Sequence, residues 1–328
     1  MLPRLMRILR LMLVAALLVA PAGCGTSSAG TRRLRDATLI LDFTPNAVHA
    51  GIYAAVANRY DRAEGLRLHV IVPSASTDSI KLLESGRVNF AILDLHDLAI
   101  ARARGAQLVG IMAIVQRPLA AVIAAAGVRN PRQLEGKLVG ITGVPSDTAV
   151  LRSTVAGAGG DPHRLRTITI GFNAVAALLA RRVAAATAFW NDEGVTLEHR
   201  RPGFHIFRVD QYGAPRYPEL VLCTTAQTLH TQPQLVAAAV RTLVRGYRFA
   251  VAHPGAAAAQ LEAGVAGLDP TLVAQQLAVL VSAFTAPDGR VGELSPAVLH
   301  AWARWELEFG VVSRLPDVGA MFDGALVR

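Results

Sequence analysis

Thr38-Leu39-Ile40-Leu41-Asp42-Phe43-Thr44-Pro45-Asn46-Ala47-Val48-His49-Ala50-Gly51-Ile52-Tyr53-Ala54-Ala55-Val56 changes its hydrophobic period halfway. Residues 38–42 form a short apolar run, the pattern of a strand buried on both faces. Pro45 and Asn46 then break it, and residues 49–61 place Ile52, Val56 and Tyr60 on one helical face. A buried strand, a polar loop and an amphipathic helix make one βα unit. The pattern repeats outward: strands at 66–72 and 88–93 and helices at 77–85 and 96–104, with breaks at Pro73, Gly86 and Gly105. Consecutive βα units predict parallel pairing through right-handed crossovers. Residues 107–115 and 119–125 are two further apolar strands, separated by Arg117-Pro118.

A second series follows, with strands at 138–141, 167–170 and 184–190 and helices at 147–156 and 173–182. Beyond the strand at 220–223 the pattern is almost wholly helical, through 234–251, 270–284 and 296–309. Two α/β lobes followed by a helical tail imply that the tail returns to the first lobe. The chain then crosses between lobes near 116–125 and 214–224. The expected domains are 37–118 with 225–328 for lobe 1 and 119–224 for lobe 2, with a ligand in the cleft at the carboxyl ends of the strands.

Composition agrees. Of 328 residues 52% are hydrophobic and 17% charged, which excludes disorder and provides for a large core. The 33 basic residues include only two lysines, Lys81 and Lys137, and the formal charge of +9 is spread as short arginine doublets. Without a block of like charges, nucleic acid is not an expected partner. At the N-terminus, Arg4, Arg7 and Arg10 precede an apolar run from Leu11 to Ala20, too short to span a bilayer but suited to an export signal. Residues 1–23 are therefore expected to be a signal peptide, and their removal lowers the charge by three. Pro21-Ala22-Gly23-Cys24 resembles a bacterial lipobox, with Pro21 where such boxes carry an aliphatic residue. That resemblance implies lipidation at Cys24, a tether over 24–36 and anchorage at the outer face of the cytoplasmic membrane or in the periplasm. Cys223 is then the one thiol left, so no intrachain disulfide is expected.

The loops after the strands carry the candidate ligand groups: Phe43, Asn46 and His49; Asp94; Gly143 and Ser146; and Trp190, Asn191 and Glu193. Phe43 and Trp190 offer faces for stacking a planar ring. Asn46, Asp94 and Glu193 can accept from amine or amidine edges, and Gly143 with Ser146 at a helix start forms a cradle for an anion or polar group. Each has a plainer role available: Asn46 as a turn residue, His49 as a helix opener, Ser146 or Asp147 as an N-cap and Trp190 as inter-lobe core. The nine histidines show no HExxH and no i, i+4 pair, and there is no GxGxxG after a strand, Walker loop or GxSxG elbow, so neither a metal nor a cofactor is expected. Trp302 and Trp305 read as packing residues.

Residues 41–53 resemble the opening signature of the thiamine-pyrimidine family of solute-binding proteins of ABC importers. Ala101-Arg102-Ala103-Arg104-Gly105, Gly143-Val144-Pro145-Ser146-Asp147 and Trp190-Asn191-Asp192-Glu193-Gly194-Val195 fit that family in order, so the resemblance covers about residues 37–200. It implies a type II periplasmic-binding-protein fold, an aminopyrimidine precursor of thiamine or a related amino heterocycle between the lobes, an ABC permease with its ATPase as partners, and a monomer without enzymatic activity. Phe43 takes a position often held by Trp, and Glu193 is the carboxylate implied to face the amino-pyrimidine edge. Binders of sulfonate, nitrate or a flavin precursor share the fold. A eukaryotic enzyme branch of the superfamily builds the thiamine pyrimidine from pyridoxal phosphate and a histidine of its own chain. Aligned to it, the cofactor lysine falls at Leu93 and the sacrificed histidine at Asp97, beside His96, and its cysteine-rich iron loop has no counterpart.

Overall fold

The computed structural model describes residues 33–75, 78–144 and 146–327. The export signal, Cys24 and most of the tether lie outside them. Among the described residues, ten strands form two five-stranded sheets. The first contains β1 (Arg35–Ile40), β2 (Leu66–Ile71), β3 (Phe90–Asp94), β4 (Leu108–Ala113) and β10 (Leu220–Thr225), in the order β2-β1-β3-β10-β4. The second contains β5 (Ala120–Ala124), β6 (Leu138–Ile141), β7 (Arg166–Thr169), β8 (Ala185–Phe189) and β9 (His205–Arg208), in the order β7-β6-β8-β5-β9.

The βα pattern predicts parallel pairs, and β1 with β2 and β3, and β6 with β7 and β8, are parallel. Two strands depart from that expectation. β10 is antiparallel to both β3 and β4, and β5 is antiparallel to both β8 and β9. Each reaches its sheet from the other sheet and not through a helical crossover, so nothing constrains it to run with its neighbours. Residues 114–119 and 209–219 connect the sheets. Ile114 N–H donates to the Leu220 carbonyl at 2.8 Å, so the two crossings lie side by side.

The expected helix over 49–61 is divided into a 3-10 turn, Ala47–His49, and two helices, Ala50–Ala57 and Tyr60–Ala63. Asn58 ends the second piece by donating its side-chain amide to the Ala54 carbonyl at 2.8 Å, and Arg59 follows at φ 57°, a left-handed conformation no helix can continue through. The edge strand β9 and the helices Glu193–Arg200 and Pro254–Gly264 lie outside the expected elements; the last is alanine-rich and carries no apolar stripe.

The helical tail packs on the first sheet's side. Helix Pro233–Ala252 lies against Ala50–Ala57 so closely that a Cβ on Gly246 would fall 2.1 Å from the Gly51 carbonyl oxygen, and one on Gly51 2.5 Å from the Tyr247 ring. Tyr247 donates its hydroxyl to the Val48 carbonyl at 2.8 Å, which ties the tail to the loop after β1. Leu39, Leu41, Phe90, Ile92 and Leu222 are fully or almost fully buried beneath these helices. Burial of each such side chain contributes about 1.5–3 kcal/mol. Trp302 and Trp305 are buried on helix Pro296–Glu308, the packing role expected of them. No helix among the described residues is long and apolar enough to cross a membrane.

Candidate functional site

One cavity collects the carboxyl ends of the parallel strands from both sheets. Asp42 and Phe43 follow β1, Asp94 ends β3 and Asp97 stands one turn into the next helix. Thr142, Val144 and Asp147 follow β6, and Phe189 and Glu193 come from the end of β8 and the helix after it. Ala120, Ala121, Glu219 and Leu220, at the ends of the two crossings, complete it. Among the described residues, six acids border this cavity and no lysine, arginine or histidine does.

The aromatic wall spans both lobes. Phe43 meets Phe172 edge to face with centroids 4.6 Å apart, and Phe189 at 6.5 Å. Phe172 is half exposed, which places this trio at the rim. Such edges and faces suit a planar ring. Phe172 and Phe189 were not singled out from sequence. Phe172 follows a strand that is exposed throughout, and Phe189 reads as the penultimate residue of a buried one.

Of the candidate ligand residues, Phe43, Asp94, Ser146 and Glu193 border the cavity, whereas Asn46, His49, Gly143, Trp190 and Asn191 do not. Asn46 caps the 3-10 turn, its side-chain oxygen accepting from Val48 N–H at 2.9 Å, while its own N–H donates to His49 Nδ1 at 3.1 Å. With Nδ1 accepting, Nε2 carries the proton and donates to Asp42 Oδ1 at 2.9 Å. Asn46 and the fully buried His49 therefore aim Asp42 and do not themselves touch the cavity. The Gly143 N–H donates to Asp147 Oδ2 at 2.8 Å, and Thr142 donates its hydroxyl to the same oxygen at 2.6 Å. The cradle expected at Gly143 is thus filled by the chain's own carboxylate and is not open to an anion.

Trp190 follows the last residue of β8, and its side chain is held on the first crossing instead of the cavity. Its indole N–H donates to the Pro118 carbonyl at 2.9 Å, and the Arg208 guanidinium lies 4.2 Å from its ring centroid. Asp210 accepts from Arg117 at 3.0 Å and from Arg208 at 3.2 Å. Trp190 therefore clamps the crossing at 117–118 to the second sheet. Asn191 is buried beside it.

Glu193, Asp97, Asp94 and Glu219 titrate high. Burial pushes the Glu193 carboxyl up to about 8 and neighbouring Asp192 adds to the rise, while the Phe189 N–H it accepts at 3.0 Å opposes it. Burial lifts Asp97 and Asp192 to about 6 each, holds Asp94 well above the usual carboxylate range and raises Glu219 as well. Behind the cavity, burial disfavours the His96 imidazolium, but Glu306, Asp94 and Glu219 outweigh it and raise His96 to about 10. His96 Nδ1 bonds Glu306, and Nε2 lies 3.1 Å from the Tyr217 hydroxyl. Asp94, His96 and Glu219 offer atoms within 4.8 Å of one another. Both ring nitrogens of His96 are already engaged, so the trio is a hydrogen-bonded charge cluster and has no free imidazole donor for a metal.

Residues 46–257 match the NMT1/THI5-like family. The chain belongs to that family. This NMT1/THI5-like chain is 31% identical over 237 residues, 71% of its own length and 72% of the relative's, to a formylaminopyrimidine-binding protein of Halalkalibacterium halodurans. It is 25% identical over 222 residues, 66% of its length and 70% of the relative's, to a 4-amino-5-hydroxymethyl-2-methylpyrimidine phosphate synthase of Legionella pneumophila. Among solved structures it is similar to the alkanesulfonate-binding protein SsuA of Xanthomonas axonopodis, at TM-score 0.70 and 16% identity over 88% of this chain and 98% of that one. It is also similar to a Candida albicans protein described as having the generic periplasmic-binding-protein fold, at TM-score 0.65 and 16% identity over 88% and 96%. The NMT1/THI5-like chain therefore has the periplasmic-binding-protein fold, with two α/β lobes and a helical tail on the first.

Proposed function

We propose that this protein is the extracytoplasmic solute-binding component of an ABC importer and captures an aminopyrimidine of the thiamine pathway, or a related amino heterocycle, between its lobes. The observation that carries this reading is a cavity with aromatic walls, carboxyl groups from both lobes and, among the described residues, no basic side chain. Carboxylates accept from exocyclic amines in charge-assisted hydrogen bonds, and the rings of Phe43, Phe172 and Phe189 suit a flat heterocycle. The similarity to a formylaminopyrimidine-binding protein supports the same ligand class. In this reading Glu193, Asp94 and Phe43 contact the ligand, and Asn46 and His49 position Asp42.

Among the described residues, sulfonate, nitrate or a phosphate ester would find no cationic partner on the wall of this cavity, and the Gly143 N–H after β6 already donates to Asp147. The positions aligned to the synthase's lysine and histidine are Leu93 and Asp97, and both border the cavity. Neither can form an imine or donate an imidazole, which supports binding over catalysis. Residues 1–23 are read as the export signal and Cys24 as the lipidated residue, so Cys24→Ala is expected to move the protein from the membrane to the soluble fraction; retention on the membrane would overturn the anchor.

The test is a thermal-shift series with formylaminopyrimidine, 4-amino-5-hydroxymethyl-2-methylpyrimidine and its phosphate, riboflavin, taurine and nitrate, followed by calorimetry. A ligand at about 100 times its Kd adds about 2.7 kcal/mol, which is a shift of several degrees at this length. Shifts are expected with the unphosphorylated aminopyrimidines alone. A shift confined to taurine or nitrate would overturn the ligand class.

A further inference from the structure

Glu219 joins the cavity to the crossings. It precedes β10 on the second crossing, borders the cavity and is 1% exposed. Its Oε2 accepts from Leu119 N–H at 2.9 Å and from Ala120 N–H at 3.4 Å, where the first crossing enters β5. Its main-chain carbonyl accepts from Leu95 N–H at 2.9 Å, at the start of the helix that follows β3. Leu119 is held from the other side, its carbonyl accepting from Trp190 N–H at 3.0 Å. One residue thus bonds the first lobe, the second crossing and the start of β5 in the second sheet. Its other oxygen, Oε1, is 3.9 Å from His96 Nε2, beyond hydrogen-bond reach. The Asp94 carboxyl stands beside it on the cavity wall.

We infer that Glu219 is a positioning residue that couples occupancy of the cavity to the arrangement of the two lobes, holding the crossings with Oε2 while Oε1, with Asp94, accepts an N–H donor from the bound solute. This inference rests on the cavity being the solute site. A solute that donates to this pair gives both crossings a shared anchor, so binding energy is delivered where the chain changes lobes. Two buried carboxyl groups side by side do not both ionise readily, so in the empty protein the pair retains a proton that an arriving N–H donor displaces to solvent. The charged and titratable groups facing the pair are His96 and Asp97 on the helix after β3, Tyr217 on the second crossing and Glu306 on helix Pro296–Glu308. The single imidazolium of His96 does not balance the carboxyls of Asp94, Glu219, Asp97 and Glu306, which favours retention of that proton.

Two variants separate the roles. Glu219→Gln keeps an oxygen for Leu119 and Ala120 but turns an amide NH2 toward the cavity, whereas Glu219→Ala leaves both main-chain donors unpaired. Without ligand, Glu219→Ala is expected to enlarge the radius of gyration in small-angle scattering and to red-shift tryptophan emission as the Trp190 clamp loosens, and Glu219→Gln to match the wild type. If Glu219→Ala folds with unchanged radius and emission, the coupling is wrong whatever the ligand. With 4-amino-5-hydroxymethyl-2-methylpyrimidine as probe, Glu219→Gln is expected to bind at least tenfold more weakly and to release fewer protons than the wild type in calorimetry across buffers of different ionisation enthalpy. Wild-type affinity and proton release in Glu219→Gln would overturn the ligand-facing role. Failure of the wild type itself to bind any aminopyrimidine would overturn the proposed ligand class instead, and the ligand-free comparison would still decide the coupling.

Discussion

The affinity of the cavity for a neutral aminopyrimidine is expected to depend on pH through Glu193. Burial and Asp192 raise its carboxyl to about 8, so at pH 7 it is mostly protonated in the empty protein. An amine N–H needs the ionised form as acceptor, and freeing that form at one unit below the pKa costs about 1.4 kcal/mol. Through Glu193 the apparent Kd is therefore expected to fall about ninefold from pH 6 to 7, about fivefold from pH 7 to 8 and to level off above 8, with about 0.9 proton from Glu193 released per ligand at pH 7. Glu193→Gln keeps an oxygen for the Phe189 N–H, so it should fold, bind more weakly by about 2 kcal/mol and lose this part of the pH slope. The assay is calorimetry of wild type and Glu193→Gln with 4-amino-5-hydroxymethyl-2-methylpyrimidine from pH 6 to 9 in paired buffers, corrected for titration of the ligand. A wild-type Kd that is flat, or that tightens as pH falls, would refute the reasoning, because Glu193 would then act as a proton donor or stand outside the contact.

Stability of the empty protein should fall as pH rises. Folding raises the Asp97 and Asp192 carboxyls to about 6, Glu193 to about 8 and His96 to about 10, so the folded state binds more protons than the unfolded one. For the acids this stability is full below their ordinary values near 4 and is lost up to their folded values; for His96 it is full below about 6.5 and lost toward 10. Between pH 6.5 and 8 both Glu193 and His96 contribute slopes of about 1.4 kcal/mol per unit, and urea midpoints at pH 6, 7 and 8 that do not decline would contradict this. Phe43→Ala removes both edge-to-face contacts with the second lobe, each worth about 0.5–1.5 kcal/mol, and the ring face offered to the solute, so it is expected to lower Tm by a few degrees and to weaken aminopyrimidine binding about tenfold in calorimetry. Arg208→Ala should lower Tm by several degrees in calorimetric scanning, since it strips the Trp190 face and half the pairing of the nearly buried Asp210. An unchanged Tm would mean that the clamp does not hold the crossing.

Local pattern alone determined much of the architecture. Residues 138–141 are a strand at both limits expected of them, and the helices near 96–104, 234–251 and 296–309 fall within two residues of their expected limits, the last two because their apolar periods are long and the first because Gly105, at φ 99°, ends it. The βα alternation likewise fixed where a ligand cavity forms, at the ends of parallel strands, and so brought Phe43, Asp94, Ser146 and Glu193 into view. What a single strand's surroundings do to it was not legible. β5 and β10 are as apolar as their parallel neighbours, and only the route of the chain from the other sheet makes them antiparallel. Trp190 and Phe189 are adjacent and both aromatic, yet the Pro118 carbonyl and the Arg208 guanidinium hold the one while the other borders the cavity. His49 and Gly143 had plausible ligand chemistry by residue type, but three-dimensional neighbours had already used it, on Asp42 and Asp147. Glu219 shows the limit most plainly. No motif surrounds it, and its importance arises because folding brings residues 95, 119 and 219 within hydrogen-bond distance, a long-range closure that no local period encodes.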